Sequence, residues 1–235
     1  MSATGVVLRV RRGARVALTA LVAGALLTAC AAESAPPKPP VTSTPAPEPT
    51  AEAWARFGDP RTPGSFEVPS GWSVVESDES EPEHEIFRFD LLDESGTTQL
   101  RFARKVMGLG GGCADLAQQF TELEVLPIEV PGYVAATGDY APSIAPSFTF
   151  TVLQDADDPG LHGTLGIRDS EPVTDCFYYN LVRTETALVS FADTLKVTAY
   201  DAPRHFATIA EARAYMDTEQ YATLKRVLLS FRLDG

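Results

Sequence analysis

From Phe66 onward, apolar side chains return at every second position in one short run after another, and this alternation limits what the chain can become. Phe87, Phe89 and Leu91 alternate with Arg88 and Asp90, Leu100 and Phe102 with Gln99 and Arg101, and Phe148, Phe150 and Val152 with Thr149 and Thr151. Phe177, Tyr179 and Leu181 alternate with Tyr178, Asn180 and Val182, and Leu195, Val197 and Ala199 suggest one further strand. Successive side chains of a strand point to opposite faces, so these runs predict an antiparallel sheet with at least one buried face. Asp93-Glu94-Ser95-Gly96 joins the first two runs as a hairpin. Upstream, Phe66 and Val68, the turn Pro69-Ser70-Gly71-Trp72 and Val75 predict strand, turn and strand, with an acidic loop from Glu76 to Glu85 behind them. The proline-rich passage from Pro127 to Pro146 has no period of its own.

Helical spacing appears in two places. Leu116, Phe120 and Leu123 share one stripe and predict a helix over Cys113 to Leu123. Near the end, Thr208-Ile209-Ala210-Glu211 is a capping box, and Asp217 to Gln220 restarts a second helix in the same way. Tyr221, Leu224, Leu228 and Phe231 then fall on one face that should pack across the sheet. The fold class expected is α+β, mainly antiparallel sheet flanked by helices.

The N-terminus carries an address. Arg9, Arg11, Arg12 and Arg15 precede an uninterrupted low-polarity run from Val16 to Leu27, the layout of a secretory signal. A bilayer-spanning helix wants about 20 residues, so the run is short for the alternative of an uncleaved anchor. Leu27-Thr28-Ala29-Cys30 resembles the lipobox of bacterial lipoproteins. That resemblance implies cleavage before Cys30 and a diacylglycerol, often with a further acyl chain such as palmitate, on Cys30. Each buried methylene contributes about 0.8 kcal/mol, so two chains hold where one is marginal. Arg11-Arg12 is similar to a twin-arginine signal, but Gly13-Ala14-Arg15 departs from that pattern and reads as an ordinary basic region. With Cys30 lipidated, Cys113 and Cys176 remain, and a disulfide is their expected state in an oxidising compartment. Two unrelated buried thiols are the alternative.

Residues 30 to 62 predict a tether rich in Pro, Ala, Ser and Thr, with seven prolines between Pro36 and Pro49. Such a stretch builds no core and extends as a semi-rigid spacer of about 3.1 Å per residue. Ala51 to Phe57 could instead form a short helix, with Trp54 and Phe57 on one face. A single globular domain is expected over residues 63 to 235. The chain has 19 basic and 32 acidic residues, a net charge of −13, and loses four arginines with the signal. An acidic surface repels nucleic acid phosphate and anionic lipid, so neither is an expected charge partner.

Phe66-Glu67-Val68-Pro69-Ser70-Gly71-Trp72, the meandering middle strands and the closing Leu228-Leu229-Ser230-Phe231-Arg232 resemble actinobacterial lipoproteins of the LpqN type. The resemblance implies a PsbP-like sandwich and a role as a binding or assembly accessory, with no catalytic residue carried over. The loops around Gly108 and Asp155 have no counterpart in that pattern.

Motifs of catalysis are sparse. Gly108-Leu109-Gly110-Gly111-Gly112 lies where a phosphate-cradling loop would sit, but Cys113 replaces the third glycine of the dinucleotide pattern and no Gly-Lys-Ser/Thr follows. Cys113 at a helix start could be a nucleophile only if it is not paired with Cys176. Asp155, Asp157 and Asp158 with Gly160 resemble half of a calcium loop, yet Pro159 and Gly166 fill ligand positions. His84, His162 and His205 show no metal spacing. There is no Gly-x-Ser-x-Gly, Ser-x-x-Lys or His-Glu-x-x-His. Phe177, Tyr178 and Tyr179 could line a pocket or fill a core. The chain is thus expected to be a membrane-anchored envelope lipoprotein that binds a protein, a glycan or a hydrophobic small molecule, without a cofactor. An envelope-acting hydrolase and a purely structural protein are the alternatives.

Overall fold

The computed structural model describes residues 54–110, 118–155, 159–172 and 176–233. Thirteen strands lie along them: β1 Ala55–Asp59, β2 Thr62–Val68, β3 Ser73–Glu76, β4 Arg88–Leu92, β5 Thr98–Arg104, β6 Gln118–Pro127, β7 Ser147–Asp155, β8 Leu161–Arg168, β9 Tyr178–Tyr179, β10 Val182–Arg183, β11 Leu188–Ala192, β12 Lys196–Val197 and β13 Arg204–Phe206. Two helices follow, α1 Ile209–Tyr215 and α2 Glu219–Leu229. The main sheet runs in the order β3-β4-β5-β11-β8-β7-β6, with β10 beside β11 and β13 beside β8. β1 and β2 form a separate hairpin, and β9 and β12, with β10 and β11 between them in the chain, pair as a second two-stranded sheet. Every pairing among the described residues is antiparallel, so the α+β class expected from the alternation is the one found.

The two faces of the sheet differ in chemistry. One face gathers Phe89, Leu91, Phe102, Phe191, Phe148 and Phe150 under α2 and the β1–β2 hairpin. Phe66 of β2 meets Phe191 at 4.6 Å between ring centroids, and Phe102 meets Phe231 at 5.7 Å. The helix register is the one its spacing predicts: Tyr221, Leu224, Leu228 and Phe231 are all buried. Thr208 caps α1 by accepting from the Glu211 amide at 3.1 Å, while the Glu211 carboxylate accepts from the Ala207 amide at 2.8 Å. Thr218 caps α2 in turn, accepting from the Tyr221 amide at 3.2 Å.

The opposite face is lined by hydroxyls and amides, including Thr149, Thr151, Thr164 and Asn180, all buried. Chain segments around β9 and β12 cover it, with Leu153, Tyr178, Val197, Ala199 and Ala202 as a small second core. Asn180 donates to the Thr164 hydroxyl at 3.2 Å and to the Thr194 carbonyl at 3.0 Å. Gly166 makes room for this approach, since a Cβ there would lie 2.6 Å from that of Ala192 and 2.8 Å from Cγ of Asn180. Arg168, fully buried, sits over the Tyr178 ring and pairs with Glu122 of β6. Burial lowers the Arg168 pKa and pushes the Tyr178 hydroxyl up to about 12.

Several expectations need correction. The helix over Cys113 to Leu123 is overturned where the structure describes it: Gln118 to Leu123 belong to strand β6. A bulge between Glu122 and Glu124 breaks the two-residue period there, so the strand does not advertise itself. The alternative of a helix over Ala51 to Phe57 also gives way, because Ala55–Asp59 is strand β1, paired to β2. The sheet structure thus starts at Ala55, ahead of the boundary at residue 63. The run from Phe177 to Val182 is two short strands rather than one. The strands on either side of the Gly71 turn do form, with Trp72 donating to the Pro69 carbonyl at 3.2 Å, but they pair with other strands and not with each other.

Candidate functional site

A fork in the sheet creates the site. Strand β7 lines one side of β8 along seven registered pairs, from Ser147 opposite Arg168 to Leu153 opposite His162. The other side is shared: β11 reaches β8 only at Ala192 opposite Gly166, and β13 takes over from Arg204 opposite Gly163 to Phe206 opposite Leu161. Thr164 and Leu165 lie in the gap. Asp193, the residue where the chain leaves β11, fills it. Its amide donates to the Leu165 carbonyl at 3.0 Å, and its carboxylate accepts from the Leu165 amide at 2.8 Å and the Thr164 hydroxyl at 2.6 Å. A single aspartate therefore supplies what a continuing strand would have supplied to β8.

Arg204 completes the network. Its guanidinium pairs with the Asp193 carboxylate and donates from Nε to the Tyr215 hydroxyl at 3.0 Å. The Asp193 side chain is 1% exposed, and that burial pushes its carboxyl above the usual range against the pull of Arg204, Thr164 and the Leu165 amide. A buried pair of this kind holds geometry because either partner left alone would be a stranded charge.

Against this wall lies a cavity of about 560 Å³, bordered by Thr98, Gln99, Arg101, Asp201, His205 and Gln220. Gln99 is fixed by donating to Asp93 at 2.8 Å and accepting from Gln220 at 3.2 Å. Asp201 accepts from the Thr198 hydroxyl at 2.7 Å, and Arg101 faces Asp90 at 3.3 Å. The lining among the described residues includes no serine or cysteine, and Asp193 and Arg204 are committed to each other. The lining presents hydroxyl, amide and charged groups with which a polar guest can hydrogen-bond.

The sequence-predicted residues are distributed differently. Cys30, Cys113, Asp157 and Asp158 lie outside the described residues. Cys176 is buried just ahead of β9, and Asp155 closes β7. Gly110 is gripped by Tyr179, whose hydroxyl accepts from its amide at 3.0 Å. Phe177 and Tyr178 are buried, Tyr178 against Phe120 at 5.2 Å, so at least these two aromatics serve packing. His84 lies on an exposed turn, whereas His162 and His205 face each other across β8 and β13. Among the described residues no three His, Cys, Asp or Glu side chains converge as a metal cluster, and no helix is long and apolar enough to cross a membrane. Sequence reasoning missed Asp193, Arg204 and the cavity entirely, because their roles arise from the register of strands far apart in the chain. In comparisons with known proteins, the chain matches no family model, no curated protein and no solved structure.

Proposed function

We propose that this chain is a lipid-anchored, extracytoplasmic protein of the cell envelope whose folded part is a binding or assembly accessory. The observation that carries the binding half is the cavity at the fork, with hydroxyl, amide and charged groups presented on a wall braced by Asp193 and Arg204. Those walls suit a glycan or another polyhydroxylated guest better than a hydrophobic small molecule. The address rests on Leu27-Thr28-Ala29-Cys30 behind a basic and apolar leader. Cys30 would carry the acyl chains, residues 31 to 53 would be the spacer, and Cys113 would pair with Cys176. A sheet covered on one face by helices is compatible with the PsbP-like sandwich that the LpqN-type resemblance implies, and we include that fold in the reading.

Two measurements test it. Intact mass spectrometry of protein extracted from its own membranes should show loss of residues 1 to 29 with added acyl mass; a full-length, unacylated chain overturns the address. Titration with neutral oligosaccharides of envelope type should give saturable binding that Thr98→Trp, which fills the cavity, abolishes. Binding unaffected by Thr98→Trp, or none at all, overturns the assignment of the cleft.

A further inference from the structure

We propose that His162 and His205 together bind one divalent transition-metal ion of the Zn²⁺ or Cu²⁺ class. The two residues are far apart in sequence but directly opposite each other in the antiparallel β8–β13 pair. Their ring centroids are 4.8 Å apart and their planes are 80° to each other. Two imidazoles bound to one ion at about 2.0 to 2.1 Å, with an angle of about 90 to 110° at the metal, put their centroids roughly 4.5 to 5.2 Å apart. The fold therefore already holds the rings at a chelating separation, and the backbone pairing fixes it before any ion arrives.

The surroundings favour a cation. Arg204 and Phe206, the neighbours of His205 on β13, project to the opposite face, where they meet Tyr215 and Phe150. On the imidazole face, Asp155 lies two residues beyond Leu153, the direct cross-strand partner of His162. The chain as a whole carries a net charge of −13. His205 is exposed and gives the ion access, while His162 is 8% exposed and forms the floor. Imidazole nitrogen selects borderline ions over calcium and magnesium, which want oxygen ligands. Water fills the remaining coordination positions.

Binding has a mechanical consequence. Strand β13 is three residues long and supplies Arg204 to the cleft wall. An ion shared between His162 and His205 ties β13 to β8 at its middle residue and so stiffens one side of the cavity. The inference stands independently of the lipid anchor and of what the cavity holds.

The test uses the full chain without an affinity tag, its thiols alkylated beforehand so that cysteine cannot report. Calorimetric titration with ZnCl₂ and with CuCl₂ should give one ion per chain with micromolar affinity, tighter for copper. Electron paramagnetic resonance of the copper form should show two nitrogen donors. His205→Ala, which removes an exposed ring and leaves the fold intact, should weaken binding at least about tenfold and reduce the nitrogen count to one. His84→Ala should change neither. Absence of binding at about 100 µM metal, or affinity and nitrogen count unchanged in His205→Ala, overturns the proposal.

Discussion

The Tyr179 hydroxyl grips both backbone groups of Gly110, donating to its carbonyl at 2.9 Å and accepting from its amide at 3.0 Å. Tyr179 follows Cys176 by three residues and Gly110 precedes Cys113 by three in the sequence, so this grip joins a described residue close in sequence to each cysteine. The Tyr179 ring is itself held edge-on by Phe177 at 5.5 Å, and Lys196 caps Phe177 at 4.1 Å. A bridge between Cys113 and Cys176 would close a loop of about 63 residues, worth about 4 kcal/mol on chain-entropy grounds. Reduction is therefore expected to add two hydrogens to the intact mass and lower the urea midpoint. Tyr179→Phe should speed reduction by dithiothreitol without changing the pairing. Cys113 and Cys176 both reactive toward an alkylating reagent in unreduced, denatured protein would sink the prediction.

The Asp193 and Arg204 pair gives a second expectation. Asp193→Ala leaves the half-buried Arg204 without its counter-charge and strips the Leu165 amide and Thr164 hydroxyl of their acceptor, so it should cost about 3 kcal/mol. Replacing both partners by apolar side chains, Asp193→Leu with Arg204→Met, should recover much of that loss, because no stranded charge remains. Urea unfolding of the two single variants and the double variant measures the coupling. Strict additivity would show that the pair does not act as a unit.

Leu228 and Leu229 are adjacent on α2 but meet opposite environments. Leu228 is fully buried against the sheet and Leu229 is 37% exposed. Leu228→Ala should destabilise by about 2 to 5 kcal/mol through the cavity it leaves, and Leu229→Ala by no more than about 0.5 kcal/mol. Equal thermal shifts in the two variants would mean the helix docks in another register.

What the sequence announced and what it concealed follow from the same physics. The β4–β5 hairpin was legible because alternation runs unbroken on both sides of Asp93-Glu94-Ser95-Gly96, and the start of α1 because Thr208 and Glu211 stand at capping-box spacing; α2 starts where Asp217 to Gln220 places it, but its cap is Thr218, one residue after Asp217. Strand β6 was misread because Phe120 and Leu123 are spaced like a helix stripe, yet lie on opposite faces of the sheet: Phe120 packs on Tyr178 and Leu123 joins the main core. The bulge then turns Glu124 toward α2 as well, which erases the alternation that would have exposed the strand. Strand β8, inside the sheet between β11 and β7, shows little alternation because glycines stand at 163 and 166. They are there because Phe206, Phe150, Ala192 and Asn180 press on the backbone at those two points. The fork, the cleft and the histidine pair belong to tertiary register, and no local pattern encodes them.

The last prediction concerns acid stability and turns on Glu124 of β6, which accepts from the Tyr221 hydroxyl at 2.5 Å and pairs with Lys225, both on α2. Burial works against its charge, but the bonds to Lys225 and Tyr221 outweigh burial and hold its carboxyl below the usual glutamate range. A carboxyl with a depressed folded pKa stabilises the fold while ionised. Its contribution is complete above the unfolded value of about 4.3 and disappears as pH falls through the folded value. Tyr221 adds no slope in this range, because burial and then the Glu124 carboxylate drive its own pKa upward and keep it protonated. Glu124→Gln keeps an acceptor for Tyr221 and removes only the charge, so it should cost about 1 kcal/mol at pH 7. In urea unfolding that difference should be smaller at the acid end of the folded range than at pH 7, because protonation as pH falls through the folded value leaves both proteins neutral at this position. A difference of the same size at both pH values would show that the carboxylate charge does not fasten α2 to the edge of the sheet.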